Sequence, residues 1–322
     1  MPASPDPRPR WLAALLEPLA LPGTVLPNRL MMSALTLQYG IDGLISDRHL
    51  AFYSTRARGG AGLLFSEQLT ASPLSESPFA HCLRAYERRQ IPGFQRIAAA
   101  MRPFGTRFFA QLFAAGAAGA STMGMSHWAP LRAPSDIPAP GGERPCPLSV
   151  DEIGQIVQDF AVSAGNVREG GLHGIEVHGA HGWLVGQFLS PFYNRRSDQY
   201  GGSAANRCRI ALEIGAAIRA HVGKDFPLGL SLTYDELMGT AGITPNDTLE
   251  QLRVLDDAAI FDFFDLSIGS SHQQHFTLGS MAVPHGISLD FAAQARQVVR
   301  PATAILASGR ITDPEMAGHA VA

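Results

Sequence analysis

Seven short apolar runs recur along the chain, at residues 29–33, 62–66, 107–113, 174–177, 227–233, 263–268 and 303–308. Amphipathic stretches separate them, at 48–58, 92–102, 150–169, 206–222, 245–259 and 289–299. Near-continuous apolar strands alternating with helices imply a parallel sheet, because each crossover lays a helix over the sheet and buries its face. Two helix starts are marked by side chains. Ser149 precedes Val150 with Glu152 three residues on, a capping-box pattern, and Thr244-Pro245 sets a capping hydroxyl before a proline in the first turn. The fold class is therefore α/β, and the repeat predicts a TIM (β/α)8-type barrel. Closure needs an eighth strand, and only seven are countable before the helix that begins at Asp313-Pro314. The expectation is a C-terminally truncated barrel lacking the eighth strand and helix. An unclosed sheet exposes two edges, so a homo-oligomer or a partner subunit completing the barrel is also expected.

A barrel of this kind builds its site from polar residues just past the strand ends. The segment 176–207, EVHGAHGWLVGQFLSPFYNRRSDQYGGSAANR, puts His178 and His181 directly after the fourth strand. Ser33, Ala34, Leu35 and Thr36 follow the first strand, Glu67 and Gln68 the second, and Gly309 and Arg310 the seventh, while Gln111 lies near the end of the third. All of these converge on one rim. For Gln111 the residues alone leave two readings open, a satisfied core amide or a ligand contact. The H-x-x-H spacing lies on a turn with no third ligand nearby in sequence, which argues against a metal. His272 and His275, after the sixth strand, read as solvated loop histidines. Asn194, Arg195, Asp198, Tyr200 and Gly201-Gly202 read as loop scaffolding, glycines for the tight turn and charges to fix it.

Composition narrows the rest. A formal net charge of −3 gives no argument for nucleic acid or an anionic membrane surface. Cys82, Cys146 and Cys208 are odd in number and contain no C-x-x-C pair, so no iron–sulfur or zinc cluster is indicated and reduced thiols in the cytoplasm are expected. The apolar stretch 11–21 contains Glu17 and Pro18 and is too short to span a membrane. Residues 1–22 read as a disordered tail plus a segment docking on the barrel floor, and 23–322 as the barrel domain.

The run H-x-x-H-G-W…Q-F-L-S-P…N-R-R-x-D-x-Y-G-G-S…N-R strongly resembles the old yellow enzyme family of FMN-dependent oxidoreductases. It is similar above all to the branch with the N-terminal barrels of trimethylamine dehydrogenase and 2,4-dienoyl-CoA reductase. The resemblance extends from about residue 26 to the end of the chain. It implies bound FMN, NAD(P)H as electron donor, and a small activated alkene as substrate. By resemblance, 33–36 lies against the flavin, Gln68 and Gln111 border it, with Gln111 on the pyrimidine edge, and Gly309-Arg310 forms half of the phosphate site. His178 and His181 match the pair that grips a substrate oxygen.

Three departures from the family pattern stand out. Trp183 occupies the place of a proton-donating tyrosine, and an indole N–H is no practical acid. Tyr193 is a conceivable substitute. Ser231 stands where relatives carry an arginine beside the flavin, and the only lysine, Lys224, precedes that strand and belongs to the opposite face. Ala114 and Ala117 replace a histidine and an arginine after the third strand. Two alternatives to an NADH:flavin oxidoreductase follow. One is a flavin-dependent amine dehydrogenase or demethylase, in which Trp183 attracts an alkylammonium ion. The other is a non-catalytic remnant that needs a partner.

Overall fold

The structure, a computed structural model, describes residues 9–119 and 129–321. The expected disorder of the first eight residues lies outside them. Among the described residues, seven parallel strands follow one another in chain order: β1 (Met31–Met32), β2 (Leu63–Thr70), β3 (Arg107–Phe113), β4 (Gly174–Gly179), β5 (Leu228–Thr233), β6 (Phe263–Ser267) and β7 (Ala304–Ala307), and the short strand Leu83–Arg84 pairs with the end of β2 beside this path. Each pairs in parallel with the next. The crossover helices are α1 (Asp47–Arg58), α2 (Ile91–Met101), α3 (Val150–Glu169), α4 (Ala204–Val222), α5 (Pro245–Asp257) and α6 (Leu289–Val298), with α7 (Pro314–Val321) after β7. The arrangement is the TIM-type (β/α) barrel that the repeat predicts.

Side chains alternate across each strand, and that period sorts the chain into two interiors. Phe108, Ala110 and Leu112 of β3, Ile175 and Val177 of β4, Leu228, Leu230 and Leu232 of β5, and Phe264 and Leu266 of β6 face the helices. Together with Tyr53, Phe94, Phe160, Ile214 and Leu255 they form the main core. Each fully buried side chain of this size stabilises by roughly 1.5–3 kcal/mol. The other face points into the barrel. There Phe65, Phe109 and Phe263 form an apolar floor, closed from below by Leu21 and Leu26 of the N-terminal hairpin Leu19–Leu21/Thr24–Leu26. A helix at Arg10–Leu16 precedes the hairpin and packs on α7, with Trp11 against Gly318.

Both predicted caps are present. Ser149 Oγ accepts from the Glu152 amide while Glu152 accepts from the Ser149 amide. Thr244 and Asp247 reciprocate in the same way. Two strands differ from the expectation. The first shrinks to Met31–Met32, because Asn28 Oδ1 takes the Leu30 amide and ends the ladder. The second runs on to Thr70 through a bulge: Phe65 pairs with Phe109 and Gln68 with Gln111, so β2 spends three steps where β3 spends two.

Candidate active site

Above the phenylalanine floor the barrel interior turns polar. In-register neighbours on parallel strands face the same way. Gln68 of β2, Gln111 of β3 and Glu176 of β4 therefore share one level, and His178 of β4, Ser231 of β5 and Asp265 of β6 share the next. Gln111 Nε2 donates to Glu176 Oε1 at 2.7 Å. Gln68 Nε2 is buried with no partner, as are Glu176 Oε2 and Asp265 Oδ1. Glu176 pairs in register with Gly229, where a Cβ would run into the ring of Phe263.

His178 closes this column. Its Nδ1 lies 2.7 Å from Ser231 Oγ, which also accepts the Gly179 amide. The chain then turns sharply, with His181 and Gly182 both left-handed at φ of 61° and 78°. Such a conformation costs a non-glycine residue about 1–3 kcal/mol and persists where the surroundings impose it. Here the His181 amide donates to Thr233 Oγ1 at 2.9 Å and Nε2 is hydrogen-bonded to Ser267 Oγ. Both hydroxyls sit at strand ends, on in-register residues of β5 and β6. The turn thus folds His181 back beside His178, the ring centroids 5.1 Å apart and nearly perpendicular.

Burial lowers both imidazole pKa values, His178 well below the ordinary range with a contribution from His181, and His181 to about 4. Both rings are therefore neutral near pH 7. Each uses one nitrogen on a serine hydroxyl, which can donate or accept, so neither tautomer is dictated. The second nitrogen of each remains for a ligand.

The wall beside the pair is aromatic. Trp183 meets Phe113 edge-on at 5.1 Å and Phe79 at 6.2 Å, with Cys82 in the same cluster. Ala114 and Ala117 are buried just beyond. Tyr193 is 1% exposed, its hydroxyl near Ser271 and Glu236, and burial pushes it to about 12. It is held as a neutral phenol inside the loop layer. His272 is exposed, but its ring packs against Phe192 and Tyr193.

The backbone just after 33–36 is latched to the second strand. Glu67 Oε2 accepts the amides of Leu37 and Gln38 at 3.0 Å each, while its other oxygen bonds Nε2 of the buried His49. The Tyr53 hydroxyl oxygen receives the Glu67 amide at 2.7 Å. Arg310, at φ of 49°, donates to the Ser280 carbonyl and contacts His285 Nε2. The long loop after His181 is fixed by its own polar groups. Asn194 donates to the Phe188 and Tyr200 carbonyls, and Arg196 grips Asp198 and the Leu148 carbonyl.

Of the residues singled out in the sequence, His178, His181, Gln111, Gln68 and Ser231 meet along β2–β5, and Trp183 lines their side. Residues 33–36 and Gly309-Arg310 sit at the rim on either flank, after β1 and β7. Sequence reasoning missed Glu176, Asp265, Thr233, Ser267 and the Glu67–His49 latch. The available signal was a lone polar residue inside an otherwise apolar strand, as in FFDLS and GIEVH.

A profile of the NADH:flavin oxidoreductase / NADH oxidase family matches residues 14–322. Over 315 residues the chain is 34% identical to an N,N-dimethylglycine/sarcosine dehydrogenase of Chromohalobacter salexigens, covering 95% of this chain and 44% of that protein. It is 32% identical over 300 residues to an NADH oxidase of Thermoanaerobacter brockii, covering 92% and 45%. The chain thus spans less than half the length of either relative. Among solved structures, morphinone reductase superposes with a TM-score of 0.80 at 26% identity, covering 95% of this chain and 82% of that one.

Proposed function

The chain belongs to the NADH:flavin oxidoreductase / NADH oxidase family, and from that premise we propose that it is an FMN-dependent oxidoreductase of old yellow enzyme type. It takes hydride from NAD(P)H and delivers it to an activated alkene, in the cytoplasm. The observation that carries this reading is the pair of neutral imidazoles, His178 and His181, side by side at the barrel mouth with one nitrogen each unspent.

The residues present fit a flavin ring. Gln68 Nε2 is a buried donor with no partner, beside Gln111, and donors and acceptors of this kind match a pyrimidine edge. The segment Ser33, Ala34, Leu35 and Thr36 would lie along the ring, Ser231 near its pyrimidine end, and Gly309 and Arg310 near the phosphate. Bound FMN would supply reversible two-electron chemistry.

The chain's own contribution is binding and orientation. His178 and His181 present N–H groups to a carbonyl oxygen and stabilise the charge that grows on it as the double bond is reduced. Serine partners let each ring choose the tautomer that donates. Trp183 and Phe113 wall the substrate and exclude water from one side. With an indole in this position and Tyr193 buried, the proton on the adjacent carbon comes from solvent.

Reconstitution tests the reading. Purified protein with FMN is expected to turn yellow, and an enone with NADH or NADPH to be consumed with deuterium from D2O at the α-carbon. Protein that stays colourless in excess FMN removes the proposal. A second reading, amine oxidation, is favoured by Trp183 at the site wall and by the dehydrogenase relative. Bleaching of the bound flavin by a secondary or tertiary amine, and not by NADH, selects it.

A further inference from the structure

Glu176 and Asp265 are two carboxyls inside the barrel, 0% and 6% exposed, and they face one another in hydrogen-bonding range. Two ionised carboxylates offer only acceptors, so this contact requires a proton. Each carboxyl also keeps one buried oxygen without a donor, Oε2 of Glu176 and Oδ1 of Asp265. No arginine or lysine among the described residues offsets their charge. Ser231, which lies between His178 and Asp265 in register, carries only a hydroxyl. The titratable groups nearest above are His178 and His181, both neutral, and Glu67 on β2 is turned away to His49 and the 37–38 backbone.

The second observation is Gln111. Its Nε2 is spent on Glu176 Oε1, so the amide oxygen is the group left for another partner, and its in-register neighbour Gln68 carries the unpartnered Nε2. One acceptor and one donor are thereby presented together.

We propose that Glu176 and Asp265 share one proton and act as a positioning pair that fixes the polarity of the Gln111 amide, making ligand binding on the Gln68–Gln111 face proton-linked. A flavin pyrimidine edge matches that face, and this part rests on the FMN reading. When the shared proton leaves, a second negative charge appears in a closed apolar surround, and a ring edge carrying carbonyl oxygens is repelled. Burial raises the pKa of both carboxyls, in keeping with a proton retained at neutral pH.

Two measurements separate this inference from the FMN reading. Difference infrared spectra of the flavin-free protein at pH 7 are expected to show a buried protonated carboxyl band that shifts in D2O and is absent from Asp265→Asn and from Glu176→Gln. Absence of the band from natively folded protein overturns the shared proton, whatever binds. FMN affinity is then titrated between about pH 6 and pH 9. For one linked proton the dissociation constant rises by at most about tenfold per pH unit. The ratio of native protein to Asp265→Asn is read, which cancels ionisation of the FMN phosphate. A rising ratio supports the pair, and a flat ratio overturns the linkage. Glu176→Gln keeps an acceptor for Gln111 and is expected to retain tighter binding than Glu176→Ala, while equal loss in both overturns the positioning role. Circular dichroism melts confirm that each variant is folded.

Discussion

The imidazole of His178 is tied at 2.7 Å to Ser231, a residue 53 positions away on the adjacent strand. That bond leaves Nε2 as the nitrogen available to a ligand, so the orientation of this imidazole depends on a single hydroxyl.

Ser231→Ala removes that hydroxyl and leaves a buried ring nitrogen unpaired, a loss of about 1–3 kcal/mol. The expected outcome is at least roughly tenfold lower kcat/KM for an enone and a lower melting temperature. Ser231→Thr keeps the hydroxyl and is expected to preserve most of both. Equal activity in native and alanine forms would show that His178 is oriented by something else.

Acid should loosen the fold through the histidines. Their folded pKa values lie below the ordinary 6.5, so the unfolded chain takes up protons first as pH falls. The stability they contribute is complete above pH 6.5 and is lost as pH falls toward about 4, the value for His181. Denaturant midpoints measured from pH 7 down to 4 are expected to decline, and His181→Gln to flatten part of that slope. The Glu176–Asp265 pair acts with the opposite sign. Its raised pKa values give stability that is complete below the ordinary carboxyl range and is lost as pH rises through the folded values.

Glu67→Ala strips the acceptor from Leu37, Gln38 and His49 at once. Leaving buried donors without their acceptor costs about 1–3 kcal/mol for each group. Amide exchange at residues 37 and 38 is expected to accelerate well beyond that of the β3 core. Protection that is unchanged there would mean the segment is held from its other face.

Gly182→Ala meets two obstacles, a φ of 78° and the hydroxyl of Ser271 where the new Cβ must go. The backbone part alone is worth about 1–3 kcal/mol. Adding Ser271→Gly should recover the steric part and leave the backbone part, visible as a partial return of the melting temperature.

Much of this architecture was legible because its boundaries are chemically marked. The helix Val150–Glu169 was read to the residue, since Ser149 and Glu152 announce its start. The strand Arg107–Phe113 was read likewise from an apolar run that only Gln111 interrupts after its first residue. The far half of β2 was not, because SEQLT is polar and its burial depends on lying inside a barrel rather than against a helix. His178, His181 and Gln111 were found from their places after strands. Their partners were not, because Ser231, Ser267 and Glu176 lie 53, 86 and 65 residues from the groups they bind. Glu176 and Asp265 offered a signal in the strands themselves: an acid in an apolar strand must answer to something across the barrel. Nothing local in the sequence shows that Trp183 meets Phe79 and Phe113.

The bulge in β2 fixes what kind of interior this barrel has. With regular alternation from Phe65, the lumen would receive Leu69, and Gln68 would press into the layer beneath the helices. The one extra residue between Phe65 and Gln68 reverses that phase, so Gln68 joins Gln111 inside and Leu69 joins Leu112 in the core. Pairing the same sequence without the bulge would leave the composition and the strand count unchanged, yet exchange a polar lumen for a greasy one. The boundary between an inert scaffold and a site here is set by parity along one strand.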